Sequence, residues 1–161
     1  MGSDINIFEE DFWKISKKLE KLLQETNSRT VILIDKAGQV ITSVGEMGNL
    51  DLSSFATLSA ADFAATSQLA LLIGEESFST IFHQGENFGI YISLVADKLI
   101  LAIVFDKKTT LGLVRIKALQ TSKELEAIIN EIYARISSQM KPGFGKDFID
   151  QAESELDNLF K

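Results

Sequence analysis

The chain has 161 residues, 45% hydrophobic and 24% charged, with a net charge of −7 and no cysteine. That length suits one compact domain able to bury a full core without covalent staples, and the missing cysteine excludes a disulfide framework and thiol chemistry. The acidic balance, with no Lys/Arg stripe interleaved with aromatics, argues against nucleic acid and anionic membrane as partners.

The N-terminus carries acids at Glu9, Glu10 and Asp11 instead of a basic-then-apolar leader, and Asn6 stands where a myristoylation motif wants Ser or Thr. Phe8, Phe12, Ile15, Leu19 and Leu22 then recur at steps of four and three, the stripe of an amphipathic helix ending near Asn27. The period changes at "TVILID" and "QVITSV", which flank "KAGQ" as a β-hairpin with Gly38 in the turn. Asp51 or Ser53 is the expected N-cap of an apolar helix, and Gly74 sits where a C′ glycine belongs. Three strands follow, Phe78 to His83, Phe88 to Val95 and Leu99 to Phe105, joined by tight turns. The last, "LILAIVF", is apolar on both faces and is expected at the centre of the sheet; it is too short to span a bilayer. A long helix places Val114, Ala118, Leu125, Ile128, Ile132 and Ile136 on one face, although Thr121 with Glu124 reads equally as the cap of a separate helix. Lys141-Pro142-Gly143 ends it, and an acidic amphipathic segment from Asp147 to Phe160 closes the chain.

The order α-β-β-α-β-β-β-α allows every strand-to-strand link to be an antiparallel hairpin. The expected fold is an α/β sandwich: a five-stranded antiparallel sheet with helices on both faces, plus a C-terminal amphipathic tail. Residues 1–140 are expected to form the domain, and 141–161 a flexible joint with an acidic helix or tail. The expected location is cytoplasmic.

Chemistry is sparse. His83 is the only histidine, so neither a metal site nor a catalytic imidazole has company in the sequence. "PGFGKD" fails as a phosphate loop, because Met140 falls where the first Gly should be and Asp147 replaces the required Ser or Thr. Glu9, Glu10, Asp11, Glu75 and Glu76 sit at helix ends, where the helix dipole accounts for them, and Asp35 and Asp106 follow strands and precede turns. No active site of its own, no cofactor and no metal are expected.

What the sequence offers is surface. Between Leu52 and Gly74 the only charged residue is Asp62. Wound at about 100° per residue, this helix has one stripe of Phe55, Leu58, Ala61, Ala65, Leu69, Leu72 and Ile73, expected to pack on the sheet. The opposite stripe holds Ala56, Thr57, Ala60, Phe63, Ala64, Ser67, Gln68 and Leu71, without a charge. An uncharged outward stripe marks a protein–protein surface.

The hairpin "VILIDKAGQVITSV", the helix "FATLSAADFAATSQLALLIGE" and the run "FHQGENFGIYISLVADKLILAIVFD" together resemble the roadblock (dynein-light-chain-like) domain family, and within it the bacterial MglB-like members. The resemblance spans roughly residues 8 to 138, and the acidic C-terminal extension shares it more loosely. It implies a homodimer formed by pairing the strand from Phe78 to His83 and by packing the middle helices side by side. It also implies a two-helix platform that receives a small Ras-like GTPase of the MglA type and speeds GTP hydrolysis without an arginine finger, in the setting of cell polarity and gliding motility. On that basis Thr57, Ala60, Ala61, Ala64, Ser67, Gln68 and Leu71 are the expected partner-binding residues. Phe63, Phe78, Thr80, Ile81, Phe82 and His83 are the expected dimer interface. Arg29, Arg115 and Arg135, the only arginines, all lie outside the platform helix. In the tail, Phe148, Ala152, Leu156 and Leu159 recur at helical spacing and are expected to contact a basic patch of the GTPase; permanent docking on the chain's own domain is the equal alternative. Two other readings remain open from sequence: a roadblock adaptor that binds without stimulating hydrolysis, and a small-molecule sensor or hydrolase at the sheet–helix interface.

Overall fold

Leu99–Asp106 is the middle strand of a five-stranded antiparallel sheet, and every residue from Leu99 to Phe105 is buried. In the computed structural model, which describes the backbone of residues 2–138 and 146–160 and the side chains of residues 9–138 and 153–160, nine elements follow in order. They are α1 (Gly2–Thr26), β1 (Thr30–Asp35), β2 (Val40–Gly45), α2 (Leu52–Leu72), β3 (Thr80–Gln84), β4 (Phe88–Val95), β5 (Leu99–Asp106), α3 (Leu111–Ser138) and α4 (Lys146–Leu159). The strand order is β2-β1-β5-β4-β3, which leaves β2 and β3 as the edges.

Alternation along β5 divides the interior into two layers. Leu99, Leu101, Ile103 and Phe105 point to one side, where they meet Ile15, Leu19 and Leu22 of α1 and Val114, Ala118, Leu125 and Ile129 of α3. Ile100 and Ala102 point to the other, where Ala56, Ala60 and Phe63 of α2 cover them together with Ile32, Ile34 and Ile92. The strand is apolar throughout because both of its faces are dry.

Ion pairs stitch α1 to α3 in an antiparallel pair: Asp11 with Arg135, Lys18 with Glu124 at 3.3 Å, and Glu25 with Lys117 at 3.7 Å. Thr121 does not start a second helix. It is a buried residue within the single 28-residue α3, where packing under α3 outweighs its capping preference. Asp51 caps α2, its carboxylate accepting from the Ser54 backbone N–H at 3.2 Å and from the Ser54 hydroxyl at 2.7 Å. At the other end Gly74 takes φ +87° while Glu75 N donates to Ala70 O at 2.9 Å, closing the helix in the left-handed conformation that glycine adopts freely. β3 begins at Thr80, so Phe78 precedes the strand instead of opening it.

The tail is helical from Lys146 to Leu159. Leu156 is 3% exposed and belongs to the core under α1 and α3, and Phe160 stacks on Tyr133 at 6.5 Å between centroids. The Tyr133 hydroxyl donates to Asp157 at 3.3 Å, and the Lys98 ammonium sits 3.9 Å from the centre of the Tyr133 ring. Burial raises the Tyr133 phenol above its ordinary pKa. The expectation of a tail reserved for a partner is corrected at Leu156: this side chain docks on its own domain. Leu159 does remain exposed. The joint expected at 141–145 and the side chains of Phe148 and Ala152 lie outside the described residues.

Candidate partner-binding face

α2 packs on the sheet through its small residues. Ala56, Ser59, Ala60, Phe63 and Ala70 are its buried positions. Gly38, in the β1–β2 turn, shows how close the approach is: a Cβ there would lie 2.9 Å from Thr57 Cα and 3.5 Å from Ala60 Cβ. Phe63 reaches the sheet further along the helix, with half-buried Leu52 and Phe55 packed against the same core, while Leu58, Leu69, Leu71 and Leu72 face out.

The assignment of the two stripes made from sequence holds in part: Phe55 packs toward the sheet and Thr57, Ala64, Gln68 and Leu71 face out as expected, but most other positions change sides. Ala60 and Phe63, expected on the partner face and the dimer seam respectively, are 7% and 6% exposed and belong to the core. Ser67 is half-buried, its hydroxyl donating to Phe63 O at 2.9 Å. Thr57, Ala61, Ala64, Gln68 and Leu71 are exposed. Leu58, Ala65, Leu69, Leu72 and Ile73, expected against the sheet, also face solvent. Exposure reaches 69% for Leu58, 82% for Leu72 and 69% for Ile73.

Two contacts fix which way the exposed surface turns. His83 Nε2 and Asp62 Oδ2 share a hydrogen bond, tying edge strand β3 to the flank of α2 that carries Asp62, Leu58 and Leu69. Gly38 sits against Thr57 and Ala60, so the opposite flank, with Thr57, Ala64 and Leu71, leans over the β1–β2 turn. The lone charge of α2 and the lone histidine were the sequence signal for this orientation; each looked bland when read separately. On β3, Thr80, Phe82 and His83 are exposed and Ile81 is half-buried. Phe82 stacks on Phe105 at 6.0 Å on the α1/α3 side of the sheet. The edge carries no Lys or Pro to discourage strand addition.

Among the described residues no group of three or more His, Asp or Glu is placed to hold a metal ion. A cleft of about 400 Å³ lies away from α2, between Asp35, Lys98, Tyr133, Asp157 and Phe160. Arg29 lies 3.9 Å from Asp106, Arg135 pairs with Asp11, and Arg115 stands on α3, across the sheet from α2.

Edge strand β3 and the exposed apolar surface of α2 thus lie side by side on a roadblock-type α/β sandwich. The chain belongs to the Roadblock/LC7 domain family, whose model matches residues 14–105. It is similar to the Myxococcus xanthus MglB structure at 39% identity, covering 73% of this chain and 96% of that one with a TM-score of 0.71. It is similar to the gliding protein MglB of Thermus thermophilus at 34% identity, covering 75% of this chain and 92% of that one with a TM-score of 0.72. The profilin IA structure of Acanthamoeba castellanii shares the fold alone, at 12% identity and a TM-score of 0.50 over 70% of this chain and 94% of that one. No curated protein matches.

Proposed function

We propose that this protein is a homodimeric, cytoplasmic regulator that binds a small Ras-like GTPase of the MglA type and accelerates its GTP hydrolysis, with no active site of its own. The likeness to MglB proteins supports the class of partner. The observation that carries the surface is the exposed apolar row of α2: only 28% of its most apolar stretch is buried within the chain. Leaving Leu58, Leu69, Leu71, Leu72 and Ile73 in water forgoes about 1.5–3 kcal/mol for each that a partner would cover. Two copies joined through β3 would form a continuous sheet and bring the Asp62 flanks of two α2 helices together. Phe78, Thr80, Ile81, Phe82, His83, Leu58, Leu69 and Leu72 then form the seam, while Thr57, Ala61, Ala64, Gln68 and Leu71 remain as the platform for the GTPase.

Light scattering should give twice the 17.8 kDa chain mass at micromolar concentration. A single-chain mass would refute the seam. The defining experiment is single-turnover GTP hydrolysis by an MglA-type GTPase with and without this protein. Stimulation supports the activator reading; binding without stimulation makes the protein an adaptor. Replacing Arg29, Arg115 and Arg135 singly with Ala should leave stimulation within a few-fold of wild type, because the chain then acts by rearranging the GTPase's own catalytic groups. An inserted arginine finger is worth about 10³–10⁵ in rate, so a collapse of that size in one variant identifies a finger.

A further inference from the structure

The cleft between the β1–β2 turn, the β4–β5 turn, α3 and the end of α4 has a buried carboxylate in its wall. Asp35, the last residue of β1, is 5% exposed and lines it. One oxygen, Oδ1, accepts from the Gln39 backbone N–H at 2.9 Å and holds the β1–β2 turn. The other, Oδ2, is buried and has no hydrogen-bond partner. A carboxylate oxygen taken out of water is ordinarily paired, because leaving it bare is costly. Two lysines line the same cleft, yet neither pairs with Asp35. Lys36 is exposed, and the Lys98 ammonium lies 3.9 Å from the centre of the Tyr133 ring instead.

The rest of the wall suits an organic cation. Leu99 and Ile129 supply aliphatic surface, and Phe160 stacks beside Tyr133. The seat of Lys98 on Tyr133 shows that this aromatic wall already attracts an ammonium. Asp97 faces the cleft from the β4–β5 turn, and Asp157 faces it from α4, where it accepts from the Tyr133 hydroxyl at 3.3 Å. A volume of about 400 Å³ falls among small-molecule sites, which run to about 300–1,000 Å³ with apolar walls and a few convergent polar groups. A bare metal ion suits it poorly, since among the described residues no three acidic side chains are placed to hold one.

We propose that this cleft binds a small aliphatic diamine. One ammonium donates to Asp35 Oδ2, the methylene chain lies on Leu99 and Ile129, and the second ammonium meets Asp97 and Asp157 at the rim. An ammonium brings both the donors and the charge that a bare carboxylate oxygen lacks. An anion would meet the two lysines but be repelled by Asp35, and a neutral molecule would leave that charge uncompensated. Lys98 is exposed on a flexible stem and can leave the Tyr133 ring to a ligand. Because Asp157 and Phe160 form one wall, a ligand of the assembled cleft also stabilises the seat of α4. The site lies within one chain, so it stands whether or not the dimer and GTPase readings hold.

Tyr91 and Tyr133 are the only tyrosines, which makes their ring resonances a local report. Tyr133 lines the cleft, whereas Tyr91 is buried in the core and serves as the internal control. Titrating the full-length protein with the five-carbon diamine cadaverine should shift Tyr133 saturably at millimolar concentration or below and leave Tyr91 in place. The melting temperature should rise with it. Pentanoate and pentanol, of similar length, should do neither. Asp35→Asn keeps an oxygen for the Gln39 N–H and should weaken cadaverine binding on the order of tenfold or more. Since it removes a buried charge that lacks a partner, this variant should melt no lower than wild type without ligand. Asp157→Asn, at an exposed position, should weaken binding a few-fold and leave folding alone. An unmoved Tyr133, an equal response to pentanoate, or unchanged affinity in both variants overturns the proposal. An Asp35→Asn variant that melts well below wild type assigns the carboxylate to the turn, and full binding by Asp157→Asn would then overturn the site.

Discussion

Ala64→Arg should abolish GTPase binding while the domain stays folded and dimeric. Ala64 is exposed on α2, near Gln68 and Leu71, on the flank that leans toward the β1–β2 turn and away from the Asp62–His83 contact. In the free protein a guanidinium there stays in water. On docking it is desolvated against a surface that has only uncharged neighbours to offer from this side. Leaving a buried charge unpaired costs about 3–5 kcal/mol, a fall in affinity of about 10² to several thousand-fold. Titration calorimetry with an MglA-type GTPase reads the loss, and far-UV circular dichroism with light scattering checks fold and mass. Unchanged affinity would move the platform elsewhere on α2. A monomeric variant would place Ala64 in the seam. Leu72→Asp serves as the contrast: it lies on the outer surface of the seam flank and should break the dimer first.

The sheet was legible because its signals are local. Alternation, turn residues and the doubly apolar "LILAIVF" each depend on a few adjacent residues; the hairpins account for β2-β1 and β3-β4-β5, whereas the β1–β5 pairing that joins them is non-local and was not legible. The orientation of α2 was not legible, because the helix is apolar nearly all round and periodicity cannot choose between two uncharged stripes. Leu58, Leu69 and Leu72 were expected against the sheet, and Ala56, Ala60 and Phe63 on the outward stripe; the structure exchanges them. The deciding term is backbone proximity, set by Gly38 against Thr57, and that contact joins residues 19 apart in sequence through tertiary structure alone. The same limit applies at Asp11, whose acidic position near a helix start reads as dipole complement yet is 3% exposed and paired with Arg135. Partner-facing surfaces are where folding rules decide least, since their large apolar residues answer to a second chain.

The second large effect lies in the tail. Leu156→Ala should lower the stability of the domain, because its side chain is 3% exposed and packs with the core under α1 and α3. A buried Leu→Ala substitution costs about 2–5 kcal/mol. The loss is capped here by the docking free energy of α4 itself, since a helix this short can detach instead of carrying a cavity. A loss near 2 kcal/mol shifts the melting temperature of a domain of this size by roughly 4–8 °C. Leu159→Ala supplies the control: Leu159 is 61% exposed, so the same chemical change should move the melting temperature by no more than about 1 °C. Tyr133→Phe, which removes the hydroxyl that donates to Asp157 but keeps the ring under Phe160, should fall between the two. Removing residues 146–161 should reproduce the destabilisation of Leu156→Ala without exceeding the docking free energy by much. If the truncated chain instead melts with the full-length protein and loses GTPase affinity, α4 serves the partner and its seat on α3 is a resting position.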